Sequence, residues 1–161
     1  GIIVVEKFLE EVYACDLPKG KKVFVSFELF EHLHSPEIFL KQLYRLMTSG
    51  DLFIFTTLSG TGIDIQGLWK DSKSVSPPHH LNFFNPYSVK VLTEKNGLKV
   101  LQVTTPGRLD IDILSSNIDL IKDRFLKTFI KHTSDAEKLE WQKFISDSGW
   151  SSHMMICCQK Q

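Results

Sequence analysis

Residues 23–36 read VFVSFELFEHLHSP and decide the fold predicted for this chain. The run from 23 to 27 is almost entirely apolar, which is typical of a strand covered on both faces. A polar turn with Glu31 and His32 follows, and Ser35 then precedes a proline at the first position of a helix. Ligands of open α/β sheets bind beyond the carboxyl ends of the strands. We therefore expect a functional site at this turn.

Composition narrows the class of protein. A chain of 161 residues suits one domain. Nineteen basic side chains balance nineteen acidic ones, so no net field attracts nucleic acid or an anionic membrane surface. Cys15, Cys157 and Cys158 lack the spacing of a disulfide framework, and no apolar run reaches the roughly 20 residues of a membrane helix. We expect a cytoplasmic protein with reduced cysteines and with neither nucleic acid nor membrane as a partner.

Strand and helix patterns alternate along the chain. Strands are predicted at 2–5, 23–27, 52–57, 98–104 and 153–158. Helices are predicted at 6–13, after Ser35, after Asn85, over 110–132 and after Ser134. This order predicts an α/β fold with right-handed crossovers and a mostly parallel sheet. The carboxyl edge of that sheet gathers residues 28–35, 57–61 and 106–110, where we expect the chemistry.

The segment from 59 to 84 differs from the rest of the chain. It has little periodicity and contains three glycines and two prolines. A long irregular segment inside a compact domain is usually functional or mobile. We interpret 59–84 as a loop that covers the active site, and 110–148 as a helical insertion before the last strand. Both belong to a single domain over residues 1–161.

Several strings of the sequence resemble a known family. VSFELFEHL at 25–33, a Pro-started helix, a glycine turn and FIFTT at 53–57 are similar to the second half of class I S-adenosylmethionine-dependent methyltransferases. HHLNFFNPYS at 79–88 is similar to the H-x-x-F-F-x-P-x-S stretch of one bacterial-type branch. Residues 152–156 resemble the antiparallel last strand of the family. The resemblance covers residues 23–109 and the terminal strand.

The resemblance implies a fold, and it also implies that this chain lacks the N-terminal part of that fold. The fold is an α/β, Rossmann-like three-layer sandwich, whose mostly parallel sheet has an antiparallel last strand and which is truncated at its N-terminus. The family's G-x-G-x-G loop and its ribose-binding acidic residue have no counterpart here. Thr48-Ser49-Gly50-Asp51 replaces the usual K-P-G-G, and Leu58 replaces a proline. Because glycine lets the backbone approach a cofactor closely, we expect the chain alone to hold S-adenosyl-L-methionine from one side only.

The resemblance also implies an activity and a set of residues. The activity is methyl transfer to an oxygen, nitrogen or carbon nucleophile of a small-molecule acceptor, with S-adenosyl-L-methionine as cofactor. His80 is the candidate catalytic base, since imidazole titrates near neutral pH. Phe27 and Leu29 could equally be core residues, and we interpret Glu31 as a structural carboxylate. The cofactor-binding candidates are Ser26, Phe27, Glu28, Leu29 and His32, and the substrate-binding candidates are Thr57, Leu58, His79, Asn82 and Phe83.

Two other functions remain open from the residues alone. One is a zinc or iron centre, because carboxylates and histidines are its usual ligands, although the sequence assigns no metal ligand. The other is a non-catalytic module for dimerisation or interaction, because the predicted strand at 23–27 has a bare edge that invites pairing. Residues 2–5, a second copy in a homodimer, or a missing N-terminal half would cover that edge. The candidate metal ligands are Glu28, Glu31, His32, His34, His79 and His80.

Overall fold

A four-stranded sheet organises the protein, and the computed structural model describes Val4 and residues 6–161. The strands are β1 Val23–Ser26, β2 Leu52–Leu58, β3 Leu98–Thr104 and β4 His153–Lys160. Their order is β1-β2-β4-β3, with β1 parallel to β2 and β4 antiparallel to both of its neighbours. Three strands therefore point the same way and the last one runs against them. This confirms the Rossmann-like α/β class with an antiparallel last strand.

Six α-helices connect and flank these strands in the described part of the chain. They are α1 Pro36–Leu46, α2 Ile63–Leu68, α3 Pro86–Lys95, α4 Asp110–Ser116, α5 Arg124–His132 and α6 Asp135–Asp147. Two of the predicted helix starts are confirmed by their caps. Ser35 Oγ accepts from the Ile38 amide at 3.4 Å, and Asn85 Oδ1 accepts from the Ser88 amide at 2.8 Å. Both caps are followed by a proline, which suits the first turn of a helix.

The helix predicted at 6–13 is wrong. Short 3₁₀ turns at Leu9–Glu11 and Ala14–Asp16 stand in its place, and Phe8 and Tyr13 are exposed. Helices this short are marginal in water unless one face packs against a partner, and in this segment Leu9 packs against the core while Phe8 and Tyr13 do not become buried. The strand predicted at 2–5 lies outside the described residues, except for Val4, which is exposed and not in a strand.

The helix predicted over 110–132 is broken. Asn117 ends α4, a 3₁₀ turn occupies Ile118–Leu120, and α5 begins after Asp123. Asp123 Oδ1 accepts from the Leu126 amide at 2.6 Å, so a second helix start was present in the sequence but hidden by the continuous apolar spacing. The segment 59–84 also contains more structure than expected, since α2 and a further 3₁₀ turn at Trp69–Asp71 lie within it.

The main core lies on one face of the sheet. Phe30 fills its centre, with its ring stacked on Phe55 at 4.2 Å between centroids. On the opposite face, Val23 and Val25 remain 58% exposed, so helices do not cover β1 there in the described part of the chain. A separate cluster joins α2 to the helices after β3. The main core contains Phe30, Leu40, Leu43, Met47, Phe53, Phe55, Val89, Leu98, Met154, Ile156 and Cys158, and the second contains Leu68, Ile111, Leu114, Ile121, Ile130 and Ile145.

Candidate functional site

The carboxyl end of β1 is held in an unusual backbone conformation. Glu28 has a φ of 48°, in the left-handed region that residues other than glycine seldom occupy. Its amide donates to the Thr56 carbonyl at 3.2 Å, and its Oε1 accepts from the Thr56 hydroxyl at 2.6 Å. His153 Nδ1 lies 3.4 Å from the same carboxylate oxygen. Backbone strain of this kind persists only where surrounding contacts hold it, and it clusters at functional sites.

The turn after β1 contains a buried carboxylate, that of Glu31, whose burial the sequence did not indicate. Glu31 is 2% exposed, and its Oε2 accepts from the hydroxyl of Thr57, which is itself buried. The backbone carbonyl of Glu31 accepts from the amides of Leu81 and Asn82 at 2.7 and 3.2 Å. This residue therefore connects the turn to β2 and to the segment 79–82. Glu31 lies in the first turn of the 3₁₀ helix Phe30–His32, and these contacts agree with its interpretation as a structural carboxylate.

Residues 79–82 dock against this turn. His32 Nδ1 lies 2.8 Å from the His79 carbonyl oxygen. The Asn82 side-chain amide donates to the carbonyls of Phe30 and Leu33 at 3.1 and 2.6 Å. The turn after β1 and the end of the 59–84 segment are therefore in direct contact. Because the side-chain amide of Asn82 donates to two carbonyls of the turn after β1, Asn82 positions residues 79–82 against that turn.

Two of the candidate histidines meet where the turn and the segment touch. The rings of His32 and His80 have centroids 4.8 Å apart, and the ring of Phe83 lies 6.4 Å from that of His80. His80 Nδ1 is 2.6 Å from the Ser74 carbonyl oxygen. His79 extends its side chain to solvent. The arrangement leaves ring nitrogens of two histidines beside a buried carboxylate.

The candidates for cofactor binding follow one another along the end of β1. Ser26 has a buried hydroxyl oxygen with no hydrogen-bond partner, and the Phe27 side chain is 67% exposed. Leu29 is half-buried, while Glu28 and His32 are exposed. Because successive side chains of a strand alternate between its two faces, the buried hydroxyl of Ser26 and the exposed ring of Phe27 lie on opposite faces of this strand end.

A cavity of about 290 Å³ lies between α2 and the strand-like residues 83–85. Its walls include Trp69 and Phe83, and Trp69 is a second non-glycine residue with positive φ, at 49°. Of the substrate-binding candidates, Phe83 alone lines this cavity, while Leu58 is half-buried at the end of β2. Trp69 escaped the sequence analysis because an isolated tryptophan in an irregular segment carries no local signal. A larger cavity, of about 560 Å³, lies away from the candidates, between β3 and the end of α6.

A pair of buried aspartates also escaped the sequence analysis. Burial, followed by the charge of Asp110, raises the pKa of Asp64 to about 6. Burial would raise the pKa of Asp110 as well, but hydrogen bonds from Ser152, Ser151 and Gln142 outweigh it and hold that pKa below its ordinary value. The Ser152 amide and the Ser151 hydroxyl each donate to Asp110 at 2.7 Å. This pair joins α2 and α4 to the start of β4.

The part of the chain that the structure describes includes no helix with the length and apolar character needed to cross a membrane. Residues 15–103, more than half of the chain, match the family model described as a methyltransferase domain. No curated protein sequence matches the chain.

Several solved structures have a similar fold. One is a methyltransferase from Thermotoga maritima, a possible histamine N-methyltransferase, with 16% identity and a TM-score of 0.50 over 92% of this chain and 61% of that one. Another is phosphoethanolamine N-methyltransferase 2 from Haemonchus contortus, with 14% identity, a TM-score of 0.52, and coverage of 92% and 36%. A third, from Archaeoglobus fulgidus, is a methyltransferase with 14% identity, a TM-score of 0.54, and coverage of 97% and 66%. The chain therefore spans 36–66% of the length of these proteins.

Proposed function

Because this chain belongs to the methyltransferase-domain family, we propose that it forms the acceptor-side part of an S-adenosylmethionine-dependent methyltransferase. The reaction is methyl transfer to an oxygen, nitrogen or carbon nucleophile of a small molecule. The observation that carries the proposal is the convergence at the end of β1, where the cofactor-binding candidates adjoin the docked residues 79–82. In open α/β sheets ligands bind at this edge.

The end of β1 would hold the cofactor, which supplies an activated methyl group when bound. The buried hydroxyl of Ser26 has no protein partner, so a ligand that reached it would supply the missing hydrogen bond. The exposed ring of Phe27 would cover apolar ligand surface. Glu28 is fixed by Thr56, so its carboxylate can accept hydrogen bonds without further ordering. Leu29 and His32 complete the wall.

The segment 79–83 and the end of β2 would bind the acceptor. Phe83 and the adjacent cavity of about 290 Å³ suit the apolar part of a small molecule. Thr57 acts through Glu31, because its hydroxyl donates to that carboxylate. His80 is the catalytic base in this proposal. Its Nδ1–H donates a hydrogen bond to the Ser74 carbonyl, which leaves Nε2 to accept a proton from the acceptor molecule. His79, Asn82 and Leu58 would shape the entrance. The Haemonchus contortus structure, which holds phosphomonomethylethanolamine beside S-adenosylhomocysteine, supports a small acceptor.

The proposal includes a partner for the open side of β1. β1 pairs only with β2 among the described residues, so its outer edge is available for another strand. We propose that an N-terminal half carrying the glycine loop, or a second copy in a homodimer, pairs there. The balanced charge and the lack of a disulfide framework support a cytoplasmic location. The segment 59–84 is the proposed cover loop, and 110–148 the proposed helical insertion, of the one partial domain.

Calorimetric titration with S-adenosyl-L-methionine tests the cofactor wall. We expect weak binding by this chain, weakened further in Phe27→Ala, because the exposed ring is the largest apolar group at the end of β1. Val25→Ala is the matched control, since it trims an exposed apolar side chain of the same strand away from its end. Equal affinity of both variants and the unmodified chain would contradict the proposal. Release of S-adenosylhomocysteine in the presence of candidate acceptors then tests for turnover.

A further inference from the structure

We propose that Glu31, His32 and His80 bind a divalent transition-metal ion, and that zinc is the ion they suit best. One ligand atom from each of the three side chains lies within 4.8 Å of the other two. The cluster joins the 3₁₀ turn after β1 to the end of the 59–84 segment. It does not depend on methyl transfer, since the residues and their geometry stand by themselves.

Both histidine rings are held in the tautomer that a metal requires. His32 Nδ1 contacts the His79 carbonyl oxygen at 2.8 Å, and His80 Nδ1 contacts the Ser74 carbonyl oxygen at 2.6 Å. Because a carbonyl can only accept, each Nδ1 carries the proton, and each neutral ring has its lone pair on Nε2. A metal-binding histidine almost always donates its other N–H to a carbonyl or a carboxylate. The two rings therefore have the supporting contacts of metal ligands.

The carboxylate of Glu31 presents a free oxygen to these rings. Its Oε2 accepts from Thr57, whereas no donor lies within hydrogen-bond distance of Oε1 among the described residues. The nearest ring nitrogen, His32 Nε2, is 4.0 Å from Oε1. An ionised carboxylate that is 98% buried destabilises the fold unless a positive charge or hydrogen bonds offset its loss of hydration. A cation beside Oε1 would supply such a charge. This carboxylate and one nitrogen of each ring thus lie close enough together to share an ion.

The chemistry of the set favours zinc over magnesium or calcium. Two imidazoles and one carboxylate form a known zinc ligand set, whereas magnesium and calcium take oxygen ligands. Tetrahedral zinc places its ligand atoms roughly 3.4 Å apart, so the separation of 4.0 Å between His32 and Glu31 must shorten by less than 1 Å. The His32 side chain is 43% exposed and can move that far. Three protein ligands leave a position for water or another oxygen ligand.

The other histidines and carboxylates of the region lie outside the cluster. Glu28 is engaged by Thr56 and His153, and the side chains of His34 and His79 point to solvent. A bound ion would tie the 59–84 segment to the turn after β1. In the zinc-bound chain His80 is a ligand, so the role of proton acceptor proposed above applies to the metal-free chain only.

Titration of the untagged chain with zinc chloride, with metal content measured by mass spectrometry, tests this site. We expect one zinc ion per chain, and at least a 10-fold weaker affinity in His32→Ala and in His80→Ala. His34→Ala is the matched control and should bind zinc like the unmodified chain. Cobalt binding gives a second readout, because the visible absorption of tetrahedral Co²⁺ should appear in the unmodified chain and vanish in His80→Ala.

The outcomes separate cleanly. Sub-stoichiometric zinc in the unmodified chain, or equal weakening in His34→Ala and His80→Ala, would overturn the site. His32 is exposed, so His32→Ala should fold and keeps the test valid if His80→Ala does not. Loss of zinc in His80→Ala without loss of S-adenosyl-L-methionine binding would support the metal site and leave the proposed cofactor wall intact.

Discussion

Replacing Asp64 with asparagine should stabilise the protein, and the gain should grow with pH. Asp64 is 1% exposed in the first turn of α2, and its Oδ1 has no hydrogen-bond partner. Burial and the nearby charge of Asp110 disfavour the ionised form and raise the pKa of Asp64 from 3.8 to about 6. The folded protein therefore binds the Asp64 proton more tightly than the unfolded chain does.

The sign and size of the change in unfolding free energy follow from this difference in pKa between the folded and the unfolded protein. A rise in pKa from 3.8 to about 6 corresponds to about 3 kcal/mol of unfolding free energy. The stabilisation by the bound proton is fully present below pH 3.8 and is lost as the pH rises to about 6. Above that pH the whole of this amount has been lost, because Asp64 is then ionised although it is buried. Asparagine has nearly the same shape and cannot ionise, so it avoids the loss.

Urea unfolding at several pH values between 4 and 8 measures the effect. The gain in unfolding free energy for Asp64→Asn should be under 1 kcal/mol near pH 4 and up to about 3 kcal/mol at pH 8. Asp112→Asn, which removes an exposed carboxylate from the neighbouring α4, is the control and should change little at any pH. A gain that does not depend on pH, or a destabilised Asp64→Asn at pH 8, would refute the reasoning.

Other predictions concern stability and reactivity. Burial would raise the pKa of Asp51, but hydrogen bonds from Thr48 and Lys22 outweigh it and hold that pKa well below its ordinary value. The stabilisation of the fold by the ionised Asp51 is therefore present above the ordinary pKa of an aspartate and is lost in acid. Asp51→Ala should lower the unfolding free energy, measured in urea at pH 7, by about 2 kcal/mol. Asn85→Ala should cost about 1 kcal/mol in the same assay, while Asn85→Asp should retain the cap of α3. Burial raises the pKa of Cys158 to about 12, so a thiol reagent should label the exposed Cys15 in the folded protein and Cys158 only after unfolding.

Local signals in the sequence predicted much of the fold. The caps at Ser35 and Asn85 fixed two helix starts, because a cap acts on amides within three residues. The strands were predictable because their apolar runs are short and bounded by turns. The helix at 6–13 was wrong because its formation depends on a partner face, which the sequence pattern cannot specify.

The topology led us to expect the chemistry at the carboxyl edge of the sheet, with 59–84 as its cover. In the structure the amides of Leu81 and Asn82, near the end of that segment, donate to the carbonyl of Glu31 in the turn after β1. The burial of Glu31 was not predictable, because it depends on Thr57 and on a segment fifty residues away along the chain. Whether the named candidates bind cofactor and acceptor remains a prediction.

The position of β4 affects how the protein is made. β4 follows the other three strands in the chain, yet it lies between β2 and β3, and Leu98 pairs with Lys160. β3 pairs with no other strand in the described sheet, so it has no sheet partner until β4 has left the ribosome. Pairing between segments distant in sequence is slow, and it leaves apolar edges open in the meantime. The nascent chain therefore exposes the edges of β2 and β3 that pair with β4 until β4 emerges, which is the stage at which chaperone binding would protect them most.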